Sequence, residues 1–300
     1  MAAISAAFFA LLRPGDRIVS IKDSYGGTNK LFKEFLPPFR MQTQVWDTSD
    51  FAALEAEVAR GCRMLYLESP TNPTVKIVDI ERLAKAAHAV GALVVVDNTF
   101  ATPINQNPLE LGADLVIHSA SKFLGGHADA LGGAACGARS LVKKLYHFRE
   151  INGAALAPAD AYHLLRGMKT LGLRIERQNQ SALRVARWLA QHPLVEQVNY
   201  PGLETHQHHD VARRQMRGFG GVLSFSVRGG LEAIEVFLPK LRYAHRAANL
   251  GSVETIVGPP LVTSHVECTA EERAAAGIPE GLVRYSTGIE DVTDLIADLE

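Results

Sequence analysis

The sequence predicts an open α/β domain with a mainly parallel central sheet, followed by a smaller α+β domain. Three observations predict it. The first half alternates short apolar segments with helix-like ones. Those apolar segments are apolar throughout, as strands buried on both faces are. After about Lys169 the pattern changes to one long periodic segment and more widely separated strands. We place the boundary between residues 172 and 173, with a large domain over 1–172 and a small domain over 173–300. A chain of 300 residues is long enough to bury both cores.

Taken in order, MAAISAAFFALLRPGD reads as a buried helix ended by Pro14 and Gly15. No basic stretch precedes its apolar run, which is too short to span a bilayer. Strands are expected at residues 17–21, 41–45, 64–68, 93–97, 114–119 and 132–136. Thr48, Ser49 or Asp50 is placed to cap the helix FAALEAEVA, and Asp79 to cap IERLAKAAHAV. The second half reads as a helix over 173–191, the strands VEQVNY and GVLSFSV, the helix LEAIEVFLPKL, the strand LVRYSTG and the helix DVTDLIADLE.

Lysine and arginine total 31 against 32 aspartates and glutamates. That balance gives no general pull toward nucleic acid or an anionic membrane, so any anion site must be local. Cys62, Cys136 and Cys268 show no metal-ligand spacing and fit a reducing, cytoplasmic setting. The expected partner is a small molecule, with neither nucleic acid nor membrane.

In open α/β sheets, ligands bind beyond the carboxyl ends of the strands. MLYLE runs into SPTNP, bringing Glu68 and Asn72; LVVVD runs into NTF, bringing Asp97; DLVIHS runs into ASK, bringing Ser119, Ser121 and Lys122. Asp97 ends a run of apolar residues, and a buried carboxylate needs a donor or cation. A helix cap or turn would satisfy it; so would the protonated nitrogen of a pyridine ring. Lys122 sits in SASKFLGGHADALGG, where hydroxyls and backbone N–H groups suit a phosphate and glycines admit a ligand closely. Among apolar and cationic neighbours its amine loses proton affinity, as a Schiff-base lysine requires. A surface lysine in a glycine-rich loop is the plain alternative. Tyr25 in DSYGGTNK offers a ring to stack on a flat ligand, or is an ordinary turn aromatic. His206, His208 and His209 in ETHQHHD are expected to form a solvated helix start rather than a metal site. His127 and Asp129 either support the lysine loop or are structural.

LESPTNP, VVVDNTF, SASKFLGGHAD and GLVRYSTGIED, in this order, resemble the Cys/Met-metabolism family of pyridoxal-phosphate enzymes over essentially all 300 residues. The family includes cystathionine γ-lyase, cystathionine γ-synthase, methionine γ-lyase and O-acetylhomoserine sulfhydrylase. The resemblance implies a fold-type I pyridoxal-phosphate transferase large domain, pyridoxal 5'-phosphate as cofactor, and a homotetramer. It implies that Lys122 is the Schiff-base lysine, that Asp97 pairs with the pyridinium nitrogen, and that Tyr25 stacks on the ring and moves protons. Ser119 and Ser121 bind the phosphate, with Met1 and Thr99 among the cofactor contacts. Asn72 lies near the ring hydroxyl or the substrate carboxylate, and Arg284 clamps that carboxylate bidentately. Thr255 falls beside the substrate, and Glu254 is placed to select a distal amino group.

The resemblance also implies departures. Relatives carry a segment before the first helix, and Met1 aligns within their Ser-Gly-Met-Ala motif, so the chain is expected to be N-terminally shortened. The stretch GPPLVTSHVECTAEERAAAG differs from the family pattern near the substrate mouth. Gly27 stands where methionine γ-lyases commonly have cysteine. With YGGTN, Lys30 and Glu254, this points to cystathionine γ-lyase, with the γ-synthase or a sulfhydrylase as alternatives. A truncated, catalytically incompetent subunit is the alternative of another class, and an aminotransferase-like activity a weaker one.

Overall fold

The structure is a computed structural model and describes residues 1–266 and 269–300. Cys268, and part of the divergent stretch above, lie outside the described residues.

The first sheet contains β1 (Arg17–Ile21), β2 (Gln42–Trp46), β3 (Met64–Glu68), β4 (Leu93–Asp97), β5 (Leu115–Ser119) and β6 (Gly133–Gly137), in the order β2-β1-β3-β4-β5-β6. The first five strands are parallel, and β6 pairs antiparallel with β5. The even apolarity of the strands has a direct cause. Met64, Tyr66, Val95, Leu115 and Ile117 point into one core with Phe8 and Leu12. Leu65, Leu67, Val94, Val96 and Val116 point into another with Leu54, Val58, Leu83 and Ala87. Helix α1 (Ala2–Leu11) supplies the first set of partners. Between the strands follow α2 (Gly26–Lys30), α3 (Phe51–Ala59), α4 (Ile80–Ala89) and α5 (Thr102–Asn105); α3 and α4 cover the second face.

The caps form as expected. Asp50 accepts from the Ala53 N–H at 2.9 Å, and Asp79 from the Arg82 N–H at 3.2 Å. Strand ends shift by one residue at β2, β5 and β6. At β5 the Asp114 carboxylate accepts the Val94 N–H at 2.8 Å, which leaves Leu115 as the first strand residue.

Helices α6 (Arg139–Asn152), α7 (Pro158–Met168) and α8 (Leu171–Leu189) lead to the second sheet. It contains β7 (Val195–Asn199), β8 (Val222–Val227), β9 (His245–Arg246), β10 (Ile256–Gly258) and β11 (Leu282–Ser286), in the order β7-β8-β11-β10-β9. Helices α9 (His209–Gln215), α10 (Gly230–Phe237), α11 (Ala270–Ala275) and α12 (Val292–Leu299) complete this part. Its core packs Ala182, Val185 and Leu189 of α8 against Leu223, Phe225, Val283 and Tyr285. No local pattern marks β9 or β10, which span only two and three residues. No helix of the described residues is long and apolar enough to cross a membrane.

Candidate active site

The register between β3 and β4 sets Glu68 directly beside Asp97, at the carboxyl ends of two buried neighbouring strands. Two carboxylates out of water and side by side resist ionisation. Burial first, and then the Asp97 charge, push Glu68 well above the usual carboxylate range. Burial also raises Asp97, against the opposing pull of Thr99, whose N–H and hydroxyl both donate to Asp97 Oδ1, at 3.0 and 2.5 Å. Thr99 Oγ1 in turn accepts the Ser119 N–H at 2.8 Å, so Thr99 ties the end of β4 to the end of β5. Glu68 Oε2 accepts the Tyr25 N–H at 2.7 Å, which fixes the loop after β1 on the same edge.

Lys122 lies in the turn that follows β5. The turn is closed by Gly125 N–H to Ala120 O and Gly126 N–H to Lys122 O, at 2.9 and 2.8 Å. A guanidinium from α8 holds it from behind. Arg174, 4% exposed, donates to Phe123 O at 2.9 Å, Gly167 O at 2.8 Å and Leu124 O at 3.4 Å. Gly126 has φ +73°, and a Cβ there would fall 2.1 Å from Arg174 Nη1; only glycine admits this contact. The Lys122 amine donates to Asn249 Oδ1 at 2.6 Å. Burial, and then the nearby Arg284 cation, lower Lys122 from its usual value to about 8.

Arg284 comes from β11 of the second sheet and is 2% exposed. Its Nη1 donates to Asn72 Oδ1 at 3.1 Å, and its Nη2 to Ala248 O and Asn249 O at 3.1 and 3.0 Å. Burial lowers it to about 10, still cationic at neutral pH. The two sheets thus meet at a lysine, an arginine and two asparagines.

The remaining candidates fall in different places. A Cβ on Gly27 would fall 2.7 Å from Tyr25 Cε1 and 2.8 Å from Met1 Sδ, so Met1 and Tyr25 flank one glycine. Ser121 Oγ accepts the Gly132 N–H at 2.9 Å. Thr255 is committed to the turn after β11: its N–H and hydroxyl donate to Glu290 at 2.6 and 2.8 Å, and its oxygen accepts the Gly288 N–H at 2.9 Å. Glu254 is exposed, and its carbonyl accepts from Ser252 Oγ at 2.9 Å. His127 Nδ1 lies 2.8 Å from Gly125 O, beside the lysine turn. Asp129 is exposed.

The three histidines lie at or just before the start of α9, and all are half-buried. His206 Nε2 lies 3.2 Å from Val75 O, His209 Nδ1 lies 2.8 Å from Pro201 O, and the His208 ring rests 4.7 Å from that of Phe51. Asn249 and Arg174 had no sequence signal. Asn249 sits in a loop without a motif, and Arg174 reads as one charge on an amphipathic helix.

The donor set suits pyridoxal phosphate. A desolvated carboxylate such as Asp97 is what a protonated ring nitrogen offsets, and a buried lysine near 8 is close to the neutral form that attacks an aldehyde.

Comparison with known proteins agrees. The chain is 44% identical over 303 residues to L-methionine gamma-lyase of Fusobacterium nucleatum subsp. polymorphum, covering 100% of this chain and 77% of that one. It is 44% identical over 300 residues to the chloroplastic cystathionine gamma-synthase 1 of Arabidopsis thaliana, covering 100% of this chain and 53% of that one. Among solved structures, cystathionine gamma synthase from Xanthomonas oryzae pv. oryzae in complex with cystathionine superposes with a TM-score of 0.97 at 41% identity, over 100% of this chain and 78% of that one. Residues 1–300 match the family described as Cys/Met metabolism PLP-dependent enzyme, and the chain belongs to that family of pyridoxal-phosphate enzymes acting at carbon–sulfur bonds.

Proposed function

We propose that the chain cleaves the γ-carbon–sulfur bond of cystathionine, consuming water and giving cysteine, 2-oxobutanoate and ammonia. The observation that carries the amino-acid chemistry is the meeting of Lys122 with Arg284 through Asn249, at the sheet edge that ends in Asp97, and membership of the family supports the γ-carbon as its site. When bound, pyridoxal phosphate supplies an aldehyde that condenses with amines and a ring that accepts electrons from the substrate α-carbon.

The chain's residues do the rest. Lys122 would hold the cofactor, and its Nζ would take the α-proton and move a β-proton; its lowered proton affinity suits both tasks. Asp97, oriented by Thr99, keeps the proton on the ring nitrogen. Arg284 binds the substrate α-carboxylate through its planar guanidinium, with Asn72 beside it. Tyr25 covers the ring and gives a proton to the departing sulfur. Ser119, Ser121 and the backbone at Met1 hold the phosphate. Thr255 braces the loop at the substrate side, and Glu254 on that loop selects a distal amino group.

Within the family, Gly27, standing where methionine γ-lyases commonly have cysteine, supports cystathionine over methionine as substrate. A second reading is γ-replacement on an acylated homoserine, favoured by the likeness to a γ-synthase structure in complex with cystathionine. The test is direct. The cofactor-loaded protein is given cystathionine, and 2-oxobutanoate is measured; separately it is given an acyl-homoserine with cysteine or sulfide. Product from cystathionine alone supports the lyase, faster condensation supports the replacement reading, and pyridoxamine phosphate without either product would reject both.

We also propose a homo-oligomer. Tyr146, Ile151, Tyr162, Leu165 and Leu173 on the consecutive helices α6, α7 and α8 are each more than half exposed, and covering such apolar side chains in a subunit contact supports this reading. Light scattering on the eluted protein tests it, and a mass of one chain would reject it.

A further inference from the structure

We infer that Asn249 is a positioning residue for this chemistry: its amide oxygen holds the Lys122 amine while its backbone carbonyl holds the Arg284 guanidinium. The inference rests on the roles proposed above for Lys122 and Arg284.

Lys122 Nζ lies 2.6 Å from Asn249 Oδ1, and Arg284 Nη2 lies 3.0 Å from Asn249 O. One loop residue therefore sets the spacing between the group that moves the proton and the group that binds the carboxylate. A lysine amine ends a flexible four-carbon stem and is a poor base unless its lone pair is aimed. Donating one N–H to a fixed amide oxygen removes rotation about the last bond and leaves the lone pair facing away from Asn249. Asn249 is itself held, because its carbonyl and that of Ala248 both bind Nη2, while Nη1 is bound by Asn72. The charged group facing Lys122 is Arg284, and His265 faces Arg284 in turn. Arg284 spends Nη1 on Asn72 Oδ1 and Nη2 on the backbone carbonyls of Ala248 and Asn249, which leaves the Asn249 side-chain oxygen to Lys122.

The division of labour within Asn249 is testable, because substitution removes its side chain and leaves its carbonyl. In the cofactor-free chain, acylation of Lys122 by acetic anhydride is followed by peptide mass spectrometry across pH for wild type, Asn249→Asp, Asn249→Leu and Asn249→Ser. The reactivity midpoint should rise by about one unit or more in Asn249→Asp, where a carboxylate faces the amine, and fall in Asn249→Leu. In the loaded enzyme, Asn249→Leu should lose about tenfold or more in kcat, with KM within about twofold, since Arg284 keeps its carbonyls. Asn249→Ser should recover most of that kcat. If Asn249→Leu fails to fold, the aspartate and serine variants carry the test. Unchanged midpoints in variants that melt like wild type, or a loss in KM as large as in kcat, would overturn the inference. The midpoint shift needs no cofactor, so it survives even if the functional reading fails on the substrates named above.

Discussion

Arg284 and Asn72, 212 residues apart, meet at 3.1 Å in a buried contact that joins β11 of the second sheet to the loop after β3 of the first. Neither sheet holds the carboxylate-binding cation alone. The guanidinium is presented by one sheet and braced by the other, with its second nitrogen taken by the carbonyls of Ala248 and Asn249.

Replacing Arg284 should therefore act on binding and folding together. Arg284→Lys keeps a charge but cannot span Asn72 and both carbonyls, and KM should rise by about tenfold or more as bidentate contact is lost. Arg284→Leu leaves three buried acceptors without a donor, at a cost of about 1–3 kcal/mol or more in urea unfolding. Steady-state kinetics and denaturation curves read the two effects separately. An Arg284→Lys variant with wild-type KM would remove Arg284 from the substrate site.

Glu68 gives a prediction whose sign follows from its burial. Its folded pKa lies well above the unfolded value of about 4.5. The stability linked to its protonation is complete below about pH 4.5 and is lost as pH rises through the folded value. Glu68→Gln accepts the Tyr25 N–H equally well and carries no charge. In the cofactor-free chain it should be more stable than wild type at neutral pH, by on the order of 1 kcal/mol. The difference should vanish near pH 4. Urea titrations at a series of pH values check this, and a variant less stable at pH 7 than wild type would contradict it.

The legibility of these residues in the sequence differs for physical reasons. Asp97 and Lys122 end or follow strands whose apolarity marks them as buried, and the strand-end rule for open sheets places both at one edge. The parallel sheet was readable for the same reason, while β6 reverses direction in a glycine-rich stretch that carries no orientation signal. Asn249 and Arg174 act through contacts spanning 127 and about 50 residues, set by how the second sheet and α8 dock, and no local pattern encodes docking. The pairing of Thr255 with Glu290 is tertiary in the same way; Thr255 by itself reads as any hydroxyl in a loop.

Arg174 tests whether the lysine turn is rigid by construction. Its guanidinium serves three carbonyls, two of them on the residues directly after Lys122. Arg174→Met fills similar space and donates nothing, leaving those carbonyls unserved behind the turn. Stability should fall by about 1–3 kcal/mol. Amide hydrogen exchange should quicken over residues 120–126 more than over β3 or β4. Uniform loosening across the sheet would mean that Arg174 acts on the whole fold.

Lys122 itself yields a pH dependence. Only the neutral amine attacks an aldehyde, so the rate of cofactor attachment should rise with pH and level off above the lysine's own value, about 8. At pH 7 roughly one amine in ten is then neutral, against about one in three thousand for an ordinary lysine near 10.5. Attachment should accordingly be on the order of a hundred times faster at pH 7 than for an exposed lysine in the same chain. The measurement is the growth of visible absorbance after pyridoxal phosphate is added across a pH series, with Lys122→Ala as control. A profile still climbing at pH 10, or equal absorbance in the control, would show that another amine holds the cofactor. A plateau reached between pH 8 and 9, absent in the control, assigns the attachment to Lys122 and ties its readiness at neutral pH to burial beside Arg284.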